Sequence, residues 1–309
     1  MLEMNIAPRR FRIQRSELAV PATSDHLFEK AAETAADFVF LDLEDTVAPE
    51  NKNEARLKAI AALNDTNWGT KTMAVRINAL GTEWVHRDIL DIVGLCPRLD
   101  LVMLPRAQTA FDVQFVDTLL AGLERELRRD KRLGIEAIVE TALGLANVEH
   151  IAASSSRLES IIFGMGDYSV DMGNYDTMTG ASQGAPQHWD YALARIANAC
   201  RAYGLRPIDG PFTRYSDLAG LRASAERAAA LGFEGKWAIH PSQLALCNEL
   251  FSPTASQTEW AERTLDAMGD AVAMGTGAIG RNGILLDMAH VRLARIILER
   301  AAAFKSTPT

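Results

Sequence analysis

The protein has 309 residues, of which 48% are hydrophobic and 23% charged, and its formal net charge at pH 7 is −8. This composition is typical of a globular protein with a sizeable core. The negative charge argues against a general binding surface for nucleic acid or acidic membranes, but it allows a small anionic ligand. No stretch approaches the roughly 20 apolar residues of a membrane span, and the basic N-terminus lacks the apolar core of a secretory signal.

Short apolar runs recur along the chain and alternate with stretches of helix-forming composition. The first run is ELAVP, near residue 20, and the last is GKWAIHP. After the first, the runs end at polar side chains, which are Glu44 and Asp45, Arg76, Arg106, Glu140, Asp167, Asp209 and His240. Apolar strands alternating with helices predict a parallel sheet, and eight such units predict a (β/α)8 TIM barrel. Because barrel active sites lie at the carboxyl ends of the strands, these polar residues are the first candidates for chemistry.

The stretches between the runs have the length and composition of helices. The predicted helices are 25–36, 53–63, 83–93, 110–129, 147–153, 189–203 and 217–231. Their Ala, Leu, Glu and Arg content favours helix. Segment 174–187 is instead rich in Gly, Ser, Thr and Asn. A long loop after the sixth strand is a candidate functional loop, because the catalytic and binding residues of barrel enzymes commonly lie on such loops.

The C-terminal part follows a different pattern. A short helix is predicted at 243–250, and SPTAS after it is typical of a linker. An amphipathic helix at 260–274, a glycine-rich turn (GTGAIGRNG) and a last helix at 286–304 follow. We therefore predict a barrel domain at 1–252 and a helical extension at 253–309. The extension is too short for a core of its own, so we expect it to pack on the barrel or on a neighbouring subunit.

Glu140 and Asp167 are the strongest pair of candidate site residues. Each follows an apolar run, so both are expected at the carboxyl ends of adjacent strands. Two carboxylates with open neighbouring positions suit Mg²⁺, which binds one or two carboxylates, waters and substrate oxygens. Gly164 and Gly166 would let the backbone approach this site closely. Alternatively, the arginines that end the third and fourth runs hold both acids in salt bridges around the barrel mouth.

Three further charged residues end the second and third runs. The guanidinium of Arg76 is always charged, so it must face carboxylates or an anionic substrate, and beside a metal it could stabilise a developing oxyanion. Glu44 or Asp45 could hold a water of the metal in place. For Asp45, an N-cap or turn acid before Pro49 is an equally good explanation. A salt bridge at the rim explains Arg106 better than a catalytic role.

The remaining polar residues carry weaker signals. His240 could be a general base, but a lone histidine before proline is more often structural. The other histidines lack the spacing of a ligand set. Cys96, Cys200 and Cys247 form neither a disulfide framework nor a zinc pattern, which indicates core cysteines in a reducing cytoplasm. No G-x-S-x-G elbow, P-loop or G-x-G-x-x-G follows a strand, which disfavours those nucleophile and nucleotide classes.

At these residues the chain resembles the citrate lyase β-subunit-like (HpcH/HpaI aldolase) family, and within it the malyl-CoA and β-methylmalyl-CoA lyases. The similarity covers about residues 15–300. The matching segments, in order, are FEKAAETAADFVFLDLEDTVAP with Lys52 and Arg56, VRIN, VMLPRA, IVETALGLANVEHIAAS, GMGDYSVDMG, IDGPF and LGFEGKWAIHPSQ. One such match arises easily by chance, but the ordered set is specific.

The resemblance implies roles for the residues at the run ends. Glu140 and Asp167 would bind Mg²⁺, with Mn²⁺ as an alternative. Arg76 would lie beside the reacting carbonyl of a CoA thioester. Glu44 and Asp45 would hold the waters of the metal.

The resemblance also implies residues that bind the thioester and close the site. Lys30 and Asp209, with Arg76, would help to bind the CoA thioester. An aspartate in the C-terminal segment GRNGILLDMAHVRLA, Asp287, would act as acid or base as part of a lid over a neighbouring subunit's barrel. A lid of this kind excludes water from a carbanion-like intermediate and requires a homo-oligomer, for which a trimer or a hexamer fits.

One loop departs from the family pattern. The family's first loop commonly reads PGSR, with a glycine for close approach and an arginine for the CoA phosphates, whereas here it reads PATSD at 21–25. Lys30 is kept, but Asp25 adds a negative charge.

We predict a Mg²⁺-dependent carbon–carbon lyase for malyl-CoA or methylmalyl-CoA, with acyl-CoA and glyoxylate or another keto acid as reactants. The alternatives are a malyl-CoA thioesterase, an aldolase for a free hydroxy or keto acid, and a non-catalytic barrel, which the retained charged residues argue against.

Overall fold

The computed structural model describes residues 12–174, 186–273, 275–281 and 283–305. By its contacts the chain divides into two compact units, Met1–Asn248 and Glu249–Thr309. The domain limits expected from the sequence, 1–252 and 253–309, stay a prediction beside this division. Of the candidate functional loop, residues 175–185 lie outside the described ranges.

The first unit contains a closed barrel of eight parallel strands, arranged in chain order with the first strand pairing with the last. The strands are β1 (Ser16–Pro21), β2 (Phe38–Asp42), β3 (Thr72–Arg76), β4 (Leu101–Leu104), β5 (Gly134–Val139), β6 (Leu158–Phe163), β7 (Arg206–Asp209) and β8 (Gly235–Ala238). Helices follow the strands. The predicted (β/α)8 barrel is confirmed.

Most of the predicted helices are present within about three residues of their expected limits. The helices are α1 (Phe28–Ala32), α2 (Lys52–Asp65), α3 (Val85–Leu95), α4 (Ala110–Glu126), α5 (Ala142–Ala146), α6 (Val148–Ala153), α7 (Met165–Asp171), α8 (Asp190–Ala202), α9 (Leu218–Ala230), α10 (Leu244–Leu250), α11 (Ala255–Ala273) and α12 (Met288–Lys305). The helix expected over 25–36 is a 3₁₀ turn followed by the short α1, and the hydroxyl of Thr34 donates to the Ala31 carbonyl just beyond its end. Helices α5 and α7 are additional helices that were not predicted, α7 because the glycines of GMGDY disfavour helix.

Alternating side chains of the strands fill the barrel interior. They form a hydrophobic cluster of Phe38, Phe40, Ala74, Leu101, Met103, Ile138, Ile162, Ile208 and Trp237. The edge of Trp237 packs on Phe40 with ring centroids 5.0 Å apart. Because successive side chains of a strand point to opposite faces, the residue two positions beyond the last cluster member of a strand is also on the inner side, nearer the mouth. By this alternation the next inner positions include Asp42, Arg76 and Glu140.

The same alternation places a polar layer at the amino ends of the strands. Glu17 and Glu136 are both fully buried, and the Gln14 side-chain amide donates to each of them. The Ser160 hydroxyl donates to Glu136 at 2.6 Å, and Arg206 Nε donates to the side-chain oxygen Oε1 of Gln14 at 2.7 Å. The Oε2 atoms of both acids meet no donor in the described part of the chain. A protonated Glu17 resolves this arrangement, since burial and then the charge of Glu136 raise the pKa of Glu17 well above its ordinary value.

We expect Glu17→Gln to flatten the dependence of stability on pH. The raised pKa means that the folded protein keeps a proton which the unfolded chain releases above its ordinary pKa of 4.5. The stabilisation is therefore complete below that pH and is lost as the pH rises through the folded-state pKa. Glutamine stays neutral, so the variant should gain stability relative to wild type as the pH rises above 4.5. Urea-unfolding midpoints across this range measure the effect, with the exposed Glu126→Gln as control, and parallel curves for wild type and variant would contradict it.

The second unit contains α11, α12 and a hairpin between them. Strands β9 (Ile279–Arg281) and β10 (Ile284–Leu286) pair antiparallel where the sequence suggested only a glycine-rich turn. Gly283 has a positive φ of 77°, which a hairpin turn requires. Helix α11 begins at Ala255, before the predicted 260–274. Throughout the described residues, no helix has both the length and the apolar character to cross a membrane.

Candidate active site

Arg76 is the central charge of the barrel mouth. It ends β3 and is 3% exposed. Its Nε and Nη2 atoms each donate to the carboxylate of Asp42, at the end of β2, at 2.6 Å. The guanidinium carbon lies 5.1 Å from the ring centroid of Trp237. The sequence predicted that Arg76 must face carboxylates, and this bidentate pair is the main contact that it makes.

The loop after β2 brings two more acids to the same guanidinium. Nη1 of Arg76 lies 3.1 Å from Glu44 Oε2 and 3.5 Å from Asp45 Oδ2. Burial is the largest influence on Glu44 and, with the neighbouring Asp45 charge, raises the pKa of Glu44 to about 8. The Asp45 side chain is 54% exposed and faces Arg76. The short 3₁₀ helix at Pro49–Asn51 has Ala48 at its N-cap and no side-chain cap bond, so Asp45 is not an N-cap. Asp45 lies instead in a turn before Pro49, which was the other part of the same alternative.

Glu140 and Asp167 are connected through Arg106. The Arg106 backbone N–H donates to Glu140 Oε1 at 2.7 Å, and its Nη2 lies 2.9 Å from Asp167 Oδ1. Arg106 has a positive φ of 50°, which is uncommon outside glycine and typical of strained functional loops. Burial is the main cause that raises the pKa of Glu140 to about 7. The salt bridge proposed for Arg106 is therefore present, and its partner is one of the two candidate metal ligands.

Asp167 lies in the first turn of α7 and not at the end of a strand. Gly164 explains how α7 approaches Glu140. A Cβ at this position would lie 2.4 Å from Glu140 Cβ and 2.6 Å from Glu140 Oε2, closer than atoms can pack. The role expected for Gly166 is not supported, since a Cβ there would meet open space.

Gly164→Ala is expected to weaken Mg²⁺ binding while Gly166→Ala has little effect. The added methyl group at residue 164 must displace the Glu140 carboxylate or the start of α7, whereas the methyl group at residue 166 meets nothing within 4 Å. Isothermal titration with Mg²⁺ compares the two variants with wild type. Equal affinities for both alanine variants would contradict the close approach at Gly164.

The donor set of the mouth fits Mg²⁺. Glu140 and Asp167 offer hard carboxylate oxygens, and Asp167 is 35% exposed, which leaves room for water or substrate oxygens. Five acidic side chains, those of Asp42, Glu44, Asp45, Glu140 and Asp167, share only two arginines, so the mouth has an excess of acidic groups that a dication would offset. Over the described ranges, no group of three or more His, Cys, Asp and Glu side chains forms a closed metal site. An open two-carboxylate site is the arrangement in which Mg²⁺ normally meets substrate.

Two residues expected to bind the CoA thioester have different surroundings. Asp209 is 2% exposed and forms an ion pair with the fully buried Lys236, whose Nζ also donates to the Gly210 carbonyl at 2.8 Å. Lys30 is exposed on α1. In the divergent 21–25 loop, Asp25 pairs with Lys58 at 3.1 Å. CoA binding by Lys30 and Asp209 stays a prediction.

His240 and Asp287 both carry local structural roles. The His240 ring accepts the Ser242 backbone N–H at 3.2 Å and stacks on Tyr215 at 4.8 Å, which agrees with a structural histidine. Asp287, in the second unit, accepts the Ala289 backbone N–H at 2.8 Å at the start of α12. Its other partner is His290 at 2.8 Å, and this hydrogen bond is the first of the causes that lower the pKa of Asp287. The catalytic role of Asp287 stays a prediction.

Asp42 is a site residue that the sequence analysis does not predict, because the apolar run continues through Leu43 to two further acids, Glu44 and Asp45. The period-two series Phe38, Phe40 and Asp42 would have identified it, since these positions share the inner face of β2.

Comparison with known proteins identifies the family. The family model described as HpcH/HpaI aldolase/citrate lyase matches residues 15–241. The chain belongs to this family. The L-malyl-CoA/β-methylmalyl-CoA lyase of Cereibacter sphaeroides (strain ATCC 17029) is 43% identical and covers 94% of this chain and 95% of its own. The resemblance found in the sequence motifs is thereby confirmed.

Two other members of this family are informative about chemistry. The (3S)-malyl-CoA thioesterase of Cereibacter sphaeroides (strain ATCC 17025) is 33% identical and covers 94% of this chain and 95% of its own. The crystal structure of CitE from Mycobacterium tuberculosis in complex with magnesium, acetoacetate and coenzyme A matches with a TM-score of 0.75 and 31% identity. This match covers 94% of the present chain and 98% of the CitE chain.

Proposed function

We propose that the protein is a Mg²⁺-dependent carbon–carbon lyase. It cleaves malyl-CoA or β-methylmalyl-CoA to glyoxylate and acetyl-CoA or propionyl-CoA, or joins them in the reverse direction. The observation that carries this proposal is the buried Arg76 beside the three carboxylates of Asp42, Glu44 and Asp45 at the barrel mouth, in a chain 43% identical to a lyase of that name. The CitE complex with magnesium and coenzyme A supports the same metal and the same thioester class.

The reaction breaks one carbon–carbon bond and consumes no water. A base removes the substrate's hydroxyl proton, and the hydroxyl carbon becomes the carbonyl carbon of glyoxylate. The electron pair of the broken bond passes to the thioester, and protonation at carbon completes the acyl-CoA. When bound to Glu140 and Asp167, Mg²⁺ supplies Lewis-acid stabilisation of the keto-acid oxygens. The positive charge of Arg76 stabilises the thioester enolate as its charge develops.

Asp287 exchanges the proton at the acyl carbon. The hydrogen bond with His290 is the first cause that lowers its pKa, so Asp287 is an ionised carboxylate at neutral pH and can accept this proton in the joining direction. In this proposal Asp287 acts on the barrel of a neighbouring subunit in a homo-oligomer. The exposed Ile284 and Leu285, 57% and 65% accessible, are consistent with a surface that a partner covers.

Mixed oligomers test the action of Asp287 on a neighbouring barrel. Arg76→Lys and Asp287→Asn are each expected to lose most of the activity alone, whereas co-expressed chains that carry one substitution each would assemble some sites with both residues intact. Recovered activity that co-purifies with an oligomer of both tagged chains is the expected result. Activity that never recovers in a confirmed mixed oligomer would contradict the arrangement.

The decisive experiment for the function is a product screen. The purified protein is incubated with acetyl-CoA or propionyl-CoA, glyoxylate or other keto acids, and Mg²⁺, and products are read by mass spectrometry. Formation of a 3-hydroxyacyl-CoA, and its cleavage to the same two reactants in equal amounts, is expected. Absence of both reactions for every acyl-CoA tested would contradict the lyase.

A malyl-CoA thioesterase is the second candidate, because a relative of that name is 33% identical over nearly the whole chain. It would release malate and free CoA from malyl-CoA, and the same screen separates these products from glyoxylate and acetyl-CoA.

An aldolase for a free hydroxy or keto acid is favoured by Asp25 in the first loop. Thermal protection by a keto acid with Mg²⁺, and none by CoA, would support the aldolase.

A further inference from the structure

We infer that Asp42 is a positioning residue that sets both the orientation of Arg76 and the shape of the loop carrying Glu44. Its kinetic consequence rests on the proposed function, whereas its geometric consequence does not. Asp42 is fully buried at the end of β2, and nothing in its surroundings requires it to touch substrate.

The Asp42 carboxylate accepts five hydrogen bonds. Oδ1 accepts from Arg76 Nε at 2.6 Å and from the Glu44 backbone N–H at 2.9 Å. Oδ2 accepts from Arg76 Nη2 at 2.6 Å, from the Thr46 hydroxyl at 2.6 Å and from the Thr46 backbone N–H at 3.2 Å. Only an ionised carboxylate can accept at both oxygens in this way. Burial opposes that charge, but the charge and hydrogen bonds of Arg76 outweigh it and lower the pKa of Asp42.

The first consequence concerns which edge of Arg76 faces the site. Because Nε and Nη2 are both held by Asp42, Nη1 is the nitrogen that lies toward Glu44 and Asp45. Trp237 lies against the guanidinium at 5.1 Å. The side chain is therefore held in one orientation before any substrate arrives. Such preorganisation of a charge is what makes it effective at a developing anion.

The second consequence concerns the loop after β2. The two bonds to the backbone N–H groups of Glu44 and Thr46 fold the chain back over the Asp42 carboxylate. Lys52 holds the other side of this loop, since its ammonium donates to the Leu43 and Glu44 carbonyls at 2.8 and 2.7 Å. One carboxylate thus couples the position of the Glu44 acid to the position of the Arg76 cation. Loss of the Asp42 charge is expected to disturb both at once.

The test is Asp42→Asn, which keeps the size of the side chain but removes its charge and one acceptor oxygen. We expect kcat to fall about 100-fold, the cost typical of a displaced catalytic group, with a smaller change in KM for the acyl-CoA. Mg²⁺ affinity, measured by calorimetry, should fall much less than kcat, because Asp42 touches neither Glu140 nor Asp167 and acts on the metal site only through the loop that carries Glu44. In the Arg76→Lys background the same substitution should cost little more, since Asp42 acts through Arg76.

Asp100→Asn is the matched control. Asp100 is also a buried aspartate that pairs with an arginine (Arg12, 3.2 Å) and accepts a backbone N–H (Met73, 2.9 Å), but it precedes β4 at the amino ends of the strands. Its substitution should lower the unfolding temperature without lowering kcat. If both variants lose kcat in proportion to their stability, or if Asp42→Asn keeps wild-type kcat, the positioning role is overturned.

A crystal structure of Asp42→Asn gives a readout that needs no activity. The expected result is a guanidinium of Arg76 rotated toward Glu44, with the Glu44–Thr46 backbone displaced. An unchanged Arg76 would overturn the geometric role. If wild type shows no lyase activity in the product screen while Arg76 moves in the variant, the proposed function fails and the geometric role stands.

Discussion

Glu140→Gln is expected to lower kcat/KM for malyl-CoA cleavage by more than about 100-fold. Substitution of residues that only orient metal ligands already lowers metal affinity or activity by about 10- to 100-fold. Glutamine keeps the size of the side chain and still accepts the Arg106 backbone N–H, which is now 2.7 Å from Oε1. What it loses is the negative charge, and with it the attraction for Mg²⁺. The affinity for Mg²⁺, measured by isothermal titration, should fall together with activity.

The raised pKa of Glu140 sharpens this prediction. Burial, the main cause, raises the pKa of Glu140 from 4.5 to about 7, so the metal-free fold loses stability as the pH rises through this range. Glutamine stays neutral, so Glu140→Gln should raise the unfolding temperature of the metal-free protein at neutral pH. Mg²⁺ should raise the unfolding temperature of wild type but not of the variant. Glu126→Gln, at the exposed end of α4, serves as the matched control, and wild-type Mg²⁺ affinity in Glu140→Gln would contradict the metal site.

Arg76→Lys is expected to lower kcat by about 100- to 1000-fold, the range found when one donor to a developing oxyanion is removed. Lysine keeps the positive charge, but its ammonium cannot form the two parallel bonds that Arg76 makes to Asp42. It also cannot present a separate nitrogen toward Glu44 while remaining on Asp42. The loss should therefore appear in kcat, with Mg²⁺ affinity unchanged, because Arg76 touches neither candidate metal ligand.

A second arginine controls for the general cost of replacing a buried guanidinium. Arg56 is 5% exposed and pairs with the buried Asp88 at 2.8 Å, an ion pair on the helices outside the strands. Arg56→Lys should reduce stability with a much smaller effect on kcat. Stopped-flow measurement of a single turnover would show whether the cleavage step itself is slowed in Arg76→Lys. An unchanged cleavage rate would show that Arg76 does not stabilise the enolate.

Much of the architecture could be predicted because it depends on local patterns. Each barrel strand is buried on both faces, so it appears in the sequence as a continuous apolar run that ends in a polar residue. That pattern identified the barrel and placed Arg76, Glu44 and Glu140 at its mouth, where the structure has them. The limits of α1 and the presence of α7 were not predicted, since glycines and short connections make local propensity a weak guide there.

The pairing of charges could not be predicted in the same way. Three of the four acids in DFVFLDLED, which are Asp42, Glu44 and Asp45, are close to one another in the chain, and nothing in their order indicates which one holds Arg76. The answer depends on the barrel closing and bringing β2 and β3 into register, with Asp42 directly beside Arg76. Arg106 likewise meets Asp167 across 61 residues of sequence, a contact that only the folded barrel creates.

The sequence by itself therefore determined the barrel, its family and the residue types at its mouth, because these follow from burial patterns and ordered motifs within single strands and loops. Only the tertiary structure decided which acid holds Arg76, that Arg106 connects Glu140 to Asp167, and that Gly164 rather than Gly166 makes room for the Glu140 carboxylate. Those facts depend on distances between neighbouring strands and between the loops that follow them. Parallel strands meet only when the barrel closes, so residues far apart in sequence acquire their partners at that step.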